Sequence, residues 1–238
     1  MPSSPIRPGF IQTLACNWPF TVSLPGCQLV TACFDPAASR EQDLLDHGLQ
    51  PSGSNRKRQG EFLAGRLCAA QALGQNGQCA SLPTRDSDTG LPVWPDGWCG
   101  SITHSHGLAA AIAGPTTQWS GLGLDIERLI SPKRALRLCD AILTPDEQHW
   151  LHDLSEDEAA RRLTLIFSAK ESLYKAINPL TRTYFGFQDA RITEYAQDGW
   201  LTLQLLRDLS DTYHSGMEFP CLWTPYGHGM LTLVYLSA

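Results

Sequence analysis

The chain has 238 residues, a formal net charge of −6 and a pI near 5.6, and 42% of its residues are hydrophobic. This length suits one large domain or two small ones. The acidic balance disfavours a nucleic-acid-binding protein, which needs a basic stripe. No apolar run is long enough to span a membrane, and none follows a basic N-terminus as in a secretory signal.

The eight cysteines contain no C-x-x-C pair, which disfavours a zinc site. Reduced thiols in a cytoplasmic protein are the simplest interpretation. We therefore expect a cytoplasmic protein with no nucleic-acid partner and no membrane span.

The first predicted helix covers residues 56–73, after a proline-rich segment (1–30) that we expect to be irregular or extended. Apolar residues at helical spacing give this helix an inward face. Arg58 and Arg66 are eight residues apart, close to two turns, so both can point the same way. Guanidinium pairs suit phosphate, although a basic first turn on a surface helix is the alternative.

A segment rich in Gly, Pro, Asp and Ser (74–98) predicts a long loop, and strands follow within 98–113. The first of these strands ends in hydroxyl residues and His104. Backbone amides and hydroxyls of such a segment can hold phosphate oxygens. A lone histidine is more often structural, so His104 is weak evidence by itself.

The next predicted strand, 121–127, carries two acids at strand spacing. Side chains alternate across a strand, so Asp125 and Glu127 share one face. Adjacent carboxylates repel unless a cation lies between them, and Mg²⁺ prefers oxygen ligands. A solvated acidic face is the alternative for so short a motif.

Three helix starts follow the acidic strand. Ser131-Pro132 and Thr144-Pro145 predict two of them. The capping box that begins at Ser155 predicts the third, and Pro179 should end that helix.

The third helix carries the densest charge pattern. Two of the four lysines in the chain, Lys170 and Lys175, flank Glu171 within six residues. Such a cluster suits a metal-bound pyrophosphate when it faces the acidic strand. A surface salt bridge between Glu171 and Lys175, four residues apart, is the alternative.

Alternating segments near 186–192, 200–206 and 229–236 predict further strands. The order of elements predicts an α+β fold with two similar halves, 1–120 and 121–238. Each half would be a helix packed on a small antiparallel sheet.

Four motifs in register resemble the 4′-phosphopantetheinyl transferases of the larger, single-chain type, the group that includes enterobactin synthase component D and pseudomonad enzymes. The motifs have the forms R-K-R-x-x-E-F-L-A-G-R-x-C-A (56–69), G-x-P-x-W-P followed by G-S-I-T-H (90–104), G-x-D-I-E (123–127) and F-S-x-K-E-S-x-Y-K-A (167–176). The resemblance implies two pseudo-symmetric α/β halves with the active site in the cleft between them.

The resemblance also implies a role for each site residue. Asp125, Glu127 and Glu171 would bind Mg²⁺, with Glu171 also the general base. Lys170 and Lys175 would contact the pyrophosphate of coenzyme A. The 3′-phosphate would be held by Arg58, Arg66 and His104.

One position departs from the family pattern. Related enzymes often have a basic residue just before the glycine of the G-x-P segment, where this chain has Thr89. Arg85 is the candidate replacement.

The implied reaction moves the phosphopantetheine arm of coenzyme A to a serine of an acyl, aryl or peptidyl carrier protein, and the resemblance suggests a monomer. Fatty-acid, polyketide and nonribosomal-peptide carriers are all open, and siderophore synthesis is plausible. Two rival functions use the same residues. One is another Mg²⁺ enzyme acting on a nucleotide pyrophosphate, such as a hydrolase, and the other is a non-catalytic module that binds coenzyme A or a nucleotide.

Overall fold

The computed structural model describes residues 8–50, 55–74 and 81–238. The α+β prediction is confirmed, because helices pack on antiparallel sheets in each of two compact units. The first unit contains Leu24–Gln118 and the described residues before Pro19. The second contains Pro19–Ser23 and Trp119–Ala238. The α-helices of the described residues are α1 (Glu41–Leu45), α2 (Arg56–Leu73), α3 (Pro132–Ile142), α4 (Pro145–Gln148) and α5 (Glu156–Thr181).

The strands form two larger antiparallel sheets and a two-stranded one, in the orders β1-β2-β6-β5, β7-β11-β10-β9-β8 and β3-β4. The strands are β1 (Ile11–Cys16), β2 (Gln28–Phe34), β3 (Thr84–Arg85), β4 (Pro92–Val93), β5 (Trp98–Ser105), β6 (Leu108–Pro115), β7 (Trp119–Arg128), β8 (Ala190–Ala196), β9 (Trp200–Leu205), β10 (Glu218–Tyr226) and β11 (Gly229–Ser237).

In the first unit α2 packs on the four-stranded sheet, chiefly on β6. Ala109, Ala111 and Ala113 alternate along β6 and are wholly buried in the core that α2 covers. Small side chains at alternating positions let the helix approach the strand closely. This packing fixes the height of α2, and therefore of Arg66, above the sheet.

In the second unit α5 lies along β7 and β11 of the five-stranded sheet. Its core side includes Leu163, Ile166 and Leu173, each 0% exposed. Ser155 begins the helix with the predicted capping box, since its side chain accepts from Glu158 N and the Glu158 carboxylate accepts from Ser155 N.

The prediction that Pro179 ends this helix is wrong. The helix continues to Thr181 and ends at Arg182, which adopts a left-handed conformation. A proline removes one donor, but the last turn is held by other bonds. Arg182 N donates to Asn178 O (2.8 Å), and the Thr181 hydroxyl donates to Ile177 O (3.3 Å).

Other boundaries also differ from expectation. Residues 187–189 form a 3-10 turn before β8, so that strand begins later than predicted. The segment 98–113 is a hairpin whose two strands meet at His106 and Gly107. The described part of the proline-rich segment 1–30 contains β1 and the start of β2, and its residues 1–7 lie outside the described residues. Residues 75–80 of the predicted loop also lie outside them. None of the helices in the described ranges is long and apolar enough to cross a membrane.

Candidate active site

The acidic face of β7 lies directly under α5. Alternation places Gly121, Gly123, Asp125 and Glu127 in one row. A Cβ added to Gly123 would overlap the Ser172 carbonyl oxygen and come within 2.6 Å of the Ala176 nitrogen. Only a residue without a side chain fits there, so the helix backbone rests against the strand just before the two acids.

Asp125 is 5% exposed, and both of its carboxylate oxygens accept hydrogen bonds from α5. Lys175 Nζ donates to Oδ1 at 2.7 Å, and Ser168 Oγ donates to Oδ2 at 2.8 Å. Lys175 Nζ also donates to Leu124 O at 3.2 Å. Asp125 is therefore held in a fixed position and partly neutralised by an ammonium group.

Three buried hydroxyls support this contact. Thr232 on β11 pairs with Asp125 in the strand register. Its Oγ1 lies 2.9 Å from Ser168 Oγ and 2.7 Å from Ser172 Oγ. Each hydroxyl has a partner, so these polar groups are buried without an unmet hydrogen bond. They fix the register of α5 along β7 and β11.

Glu127 and Glu171 are the other two carboxylates at this contact, and both have raised pKa values. Burial raises the pKa of Glu127 to about 7, with Asp125 and Glu171 adding to the rise and Arg134 and Lys175 opposing it. Burial also raises the pKa of Glu171, against the effect of Lys175, and Asp125 adds to that rise. The structure thus brings three carboxylates and Lys175 together across the contact between β7 and α5.

Lys170 is next to Glu171 in sequence but lies on a different side of α5. It is 3% exposed, and its Nζ donates to Glu147 Oε2 at 2.6 Å, to Ile142 O at 2.8 Å and to Phe187 O at 2.9 Å. An ammonium group has three N–H donors, and here each has an acceptor from the protein.

A hollow of about 170 Å³ opens beside Glu171. Its aromatic rings come from α5 and from the segment that follows that helix. Tyr174 packs against Tyr184 and Phe185 at ring distances of 6.0 and 5.2 Å. Tyr184 is 76% exposed. The lining of the hollow therefore combines the Glu171 carboxylate with several aromatic side chains.

In the first unit Arg66 has the features of a cation that lacks its anion. It is 5% exposed, and its Nε is buried without a hydrogen-bond partner. Its guanidinium lies over the Phe62 ring, 4.7 Å from the centroid. Burial, with the nearby charge of Arg85 as the second cause, lowers the pKa of Arg66 to about 10. Two neighbouring guanidinium groups with an unmet donor suit a phosphate.

The other predicted phosphate-binding residues are exposed. Arg58 lies in the first turn of α2, where its backbone N–H is capped by Asn55. His104 lies near the end of β5, with Nδ1 3.8 Å from Glu61 Oε2. Arg85 donates from Nε to Gly90 O at 3.2 Å, which holds it at the loop that contains Thr89.

The donor set of the second unit suits a hard cation, since it consists of carboxylate oxygens. Burial raises the pKa values of Glu127 and Glu171, and the charge of Asp125 adds to both rises. As the side chains stand, no three His, Cys, Asp or Glu side chains of the described residues are arranged to hold a metal ion. Lys175 and Ser168 take the two oxygens of Asp125 instead.

Sequence reasoning missed the residues that support the site. Ser168, Ser172 and Thr232 are ordinary polar residues in the sequence, and only the fold brings them together. The glycine row carried a usable signal, because G-x-G-x-D-x-E puts two glycines on the face of the acids. Such a row indicates that another backbone approaches there.

Comparison with known proteins identifies the family. A model of the 4′-phosphopantetheinyl transferase N-terminal domain matches residues 47–114, and a model of the 4′-phosphopantetheinyl transferase superfamily matches residues 121–221. Together the two models span α2, β5 and most of β6 in the first unit and most of the second unit.

Curated relatives agree with these matches. Enterobactin synthase component D of Salmonella typhimurium is 37% identical over 73% of this chain and 72% of its own length. The protein of the same name from Salmonella austin is 32% identical over 90% and 88%. The 4′-phosphopantetheinyl transferase PptT of Mycobacterium tuberculosis is 38% identical over 65% and 67%. The chain belongs to the 4′-phosphopantetheinyl transferase family, and is a transferase of the enterobactin synthase component D type.

Proposed function

We propose that the enzyme transfers the 4′-phosphopantetheine arm of coenzyme A, in a Mg²⁺-dependent reaction, to a serine of an acyl, aryl or peptidyl carrier protein. The serine oxygen attacks the β-phosphorus, and the bond from that phosphorus to the oxygen of the leaving 3′,5′-ADP breaks. The main support is the group of three carboxylates and one ammonium at the contact between β7 and α5.

Asp125, Glu127 and Glu171 would hold the magnesium ion. Their mutual repulsion is the physical reason, since a cation bound among them would relieve it. What magnesium supplies there is neutralisation of the charge on the pyrophosphate.

Glu171 would accept the proton of the attacking serine. Burial raises its pKa above that of an ordinary glutamate. A carboxylate with a raised pKa binds a proton more readily, which suits a general base near neutral pH. Its place at the edge of the hollow leaves room for the reacting group beside it.

Lys175 would bind the pyrophosphate. It is the more exposed of the two predicted lysines, with 27% of its side chain accessible, whereas 2% of the Lys170 side chain is. Asp125 Oδ1 would then exchange the Lys175 ammonium for the metal ion. The apolar part of the pantetheine arm would lie in the hollow beside Glu171.

The 3′-phosphate would be bound in the first unit. Arg66 supports this part of the proposal most directly, because its buried Nε is a donor with no acceptor. A phosphate oxygen would satisfy it and offset the repulsion from Arg85. Arg58 and His104 would add exposed contacts at the rim, and Arg85 would take the role that Thr89 does not provide.

Mass spectrometry of an apo carrier protein incubated with coenzyme A, Mg²⁺ and the enzyme tests the proposal. The carrier should gain one phosphopantetheine arm. Glu171→Gln should reduce the rate by at least ~10²-fold, the lower end of general-base effects, while coenzyme A still binds. Near-normal transfer by this variant would exclude Glu171 as the base.

The same experiment separates the two rival functions. A hydrolase would release phosphopantetheine to water and leave the carrier unmodified, and a binding module would leave coenzyme A intact. Either result would contradict the proposal.

The physiological carrier belongs to the proposal too. Because the relatives are named for enterobactin synthase, we propose a carrier of siderophore synthesis. Rates against a panel of siderophore, other nonribosomal-peptide, polyketide and fatty-acid carriers would test this choice. An equal or higher kcat/KM for a carrier of another class would contradict it.

A further inference from the structure

Lys170 has no donor left for a ligand. It forms a buried ion pair with Glu147, and its other two donors bond to backbone oxygens of Ile142 and Phe187. The resemblance predicts a contact between Lys170 and the pyrophosphate, and that contact would require one of these three bonds to break.

Glu147 is fully buried, and its carboxylate is as completely bonded as the ammonium. Besides Lys170, Oε2 accepts from Thr144 N at 2.8 Å and Thr144 Oγ1 at 3.0 Å, and Oε1 accepts from Ile192 N at 2.8 Å. Breaking a buried pair leaves an uncompensated charge. Lys170 is therefore costly to detach.

One bond of Lys170 links α5 to the segment that follows it, and both line the hollow. Phe187 O belongs to the segment 184–187, which lines the hollow together with Lys170, Glu171 and Tyr174 of α5. The Phe167 and Phe187 rings pack 5.2 Å apart beside this link. The bond between Lys170 Nζ and Phe187 O is thus a polar tie between α5 and the segment 184–187, beside their ring contacts.

We propose that Lys170 is a positioning residue that sets the width of the hollow beside Glu171 and does not bind the pyrophosphate. This inference rests on the proposed function, because the hollow then receives the pantetheine arm. Glu147 acts with Lys170, since it fixes the ammonium that holds Phe187.

Two ligands separate positioning from a phosphate contact. Coenzyme A has the pyrophosphate and the arm, whereas adenosine 3′-phosphate 5′-diphosphate has the pyrophosphate alone. Calorimetry in Mg²⁺ gives the Kd of each for the wild type, Lys170→Met and Glu147→Gln. Lys175→Met is the matched control, since it removes a cation that the proposed function assigns to the pyrophosphate.

If Lys170 is a positioning residue, Lys170→Met and Glu147→Gln should each lower the affinity for coenzyme A by about tenfold, which corresponds to ~1.4 kcal/mol. Their affinity for the armless nucleotide should stay within about twofold, or ~0.4 kcal/mol. Lys175→Met should lower the affinity for both ligands.

An equal loss for both ligands in Lys170→Met would overturn the inference in favour of the pyrophosphate contact, and unchanged affinity for coenzyme A would overturn it as well. If Lys170→Met does not fold, Glu147→Gln decides by the same comparison, because it keeps the shape of the glutamate side chain and removes only the charge that fixes the Lys170 ammonium. Wild-type protein that binds neither ligand would instead contradict the proposed function.

Discussion

Gly123→Ala tests whether the contact between β7 and α5 sets the geometry of the site. The new Cβ would lie 2.6 Å from the Ala176 nitrogen and 2.9 Å from the Ser172 carbonyl carbon, and it would overlap the Ser172 oxygen. Ordinary van der Waals contact of a Cβ begins at 3.4 Å. All three neighbours are backbone atoms, so no side chain can turn away, and α5 must move off the strand by ~1 Å or more to reach ordinary carbon contact distances.

Such a shift separates Glu171 on the helix from Asp125 and Glu127 on the strand. A misplacement of ~1 Å can cost about 10²-fold in rate, and overpacking costs about 1–3 kcal/mol in stability. We therefore expect Gly123→Ala to be both slower and less stable than the wild type. The rate of carrier modification and the midpoint of thermal unfolding measure these two losses.

Gly9→Ala is the matched control, because a Cβ at Gly9 would meet no atom within 4 Å. It should match the wild type in both assays. A Gly123→Ala variant with wild-type transfer rate and unfolding midpoint would refute the argument that the helix backbone rests on the strand at this point.

Two further predictions concern charged groups. Arg66→Gln should weaken the binding of coenzyme A by on the order of 1.5–3 kcal/mol, the range for a charged hydrogen bond, and leave the binding of 3′-dephospho-coenzyme A unchanged. The exposed Arg161→Gln is the control. Equal losses of affinity for both ligands would assign Arg66 another role. Glu127 keeps a proton in the folded state up to a pKa of about 7, against a usual 4.5, so stability falls as pH rises through that interval. Between pH 5 and pH 8, the free energy of unfolding measured with urea should fall less for Glu127→Gln than for the wild type. An identical fall in both proteins would contradict the assigned pKa.

Helix limits were predictable where short-range signals define them. The predicted helix 56–73 matches α2 at both ends, and the capping boxes at Thr144 and Ser155 begin α4 and α5. These signals involve residues three positions apart, so tertiary packing does not override them.

Strands with weak local signals were missed or misplaced. The prolines at 220 and 225 mask β10, although it pairs with both β9 and β11 over Glu218–Tyr226. Proline disfavours a strand in sequence terms, and here the surrounding sheet overrides that preference.

Sequence identified the charged residues of the candidate site but not their separate surroundings. Lys170 and Lys175 look equivalent in the motif, yet one is buried against Glu147 and the other bonds to Asp125. The difference arises from α4, a four-residue helix that brings a buried carboxylate beside Lys170. No spacing rule in the motif predicts that partner.

The hydroxyl-lined contact between α5 and β7 has a consequence for how substrate binding is driven. Ser168, Ser172 and Thr232 are each 0% exposed and bonded to one another. Segments packed in this way open only together with the core around them, so amide hydrogens of this part of α5 should exchange at the rate of global unfolding. The contact between α5 and β7, on which the carboxylates stand, is then ordered before any ligand arrives. Little of the binding free energy of the donor is used to order these residues, and more of it remains for holding the reacting groups in line.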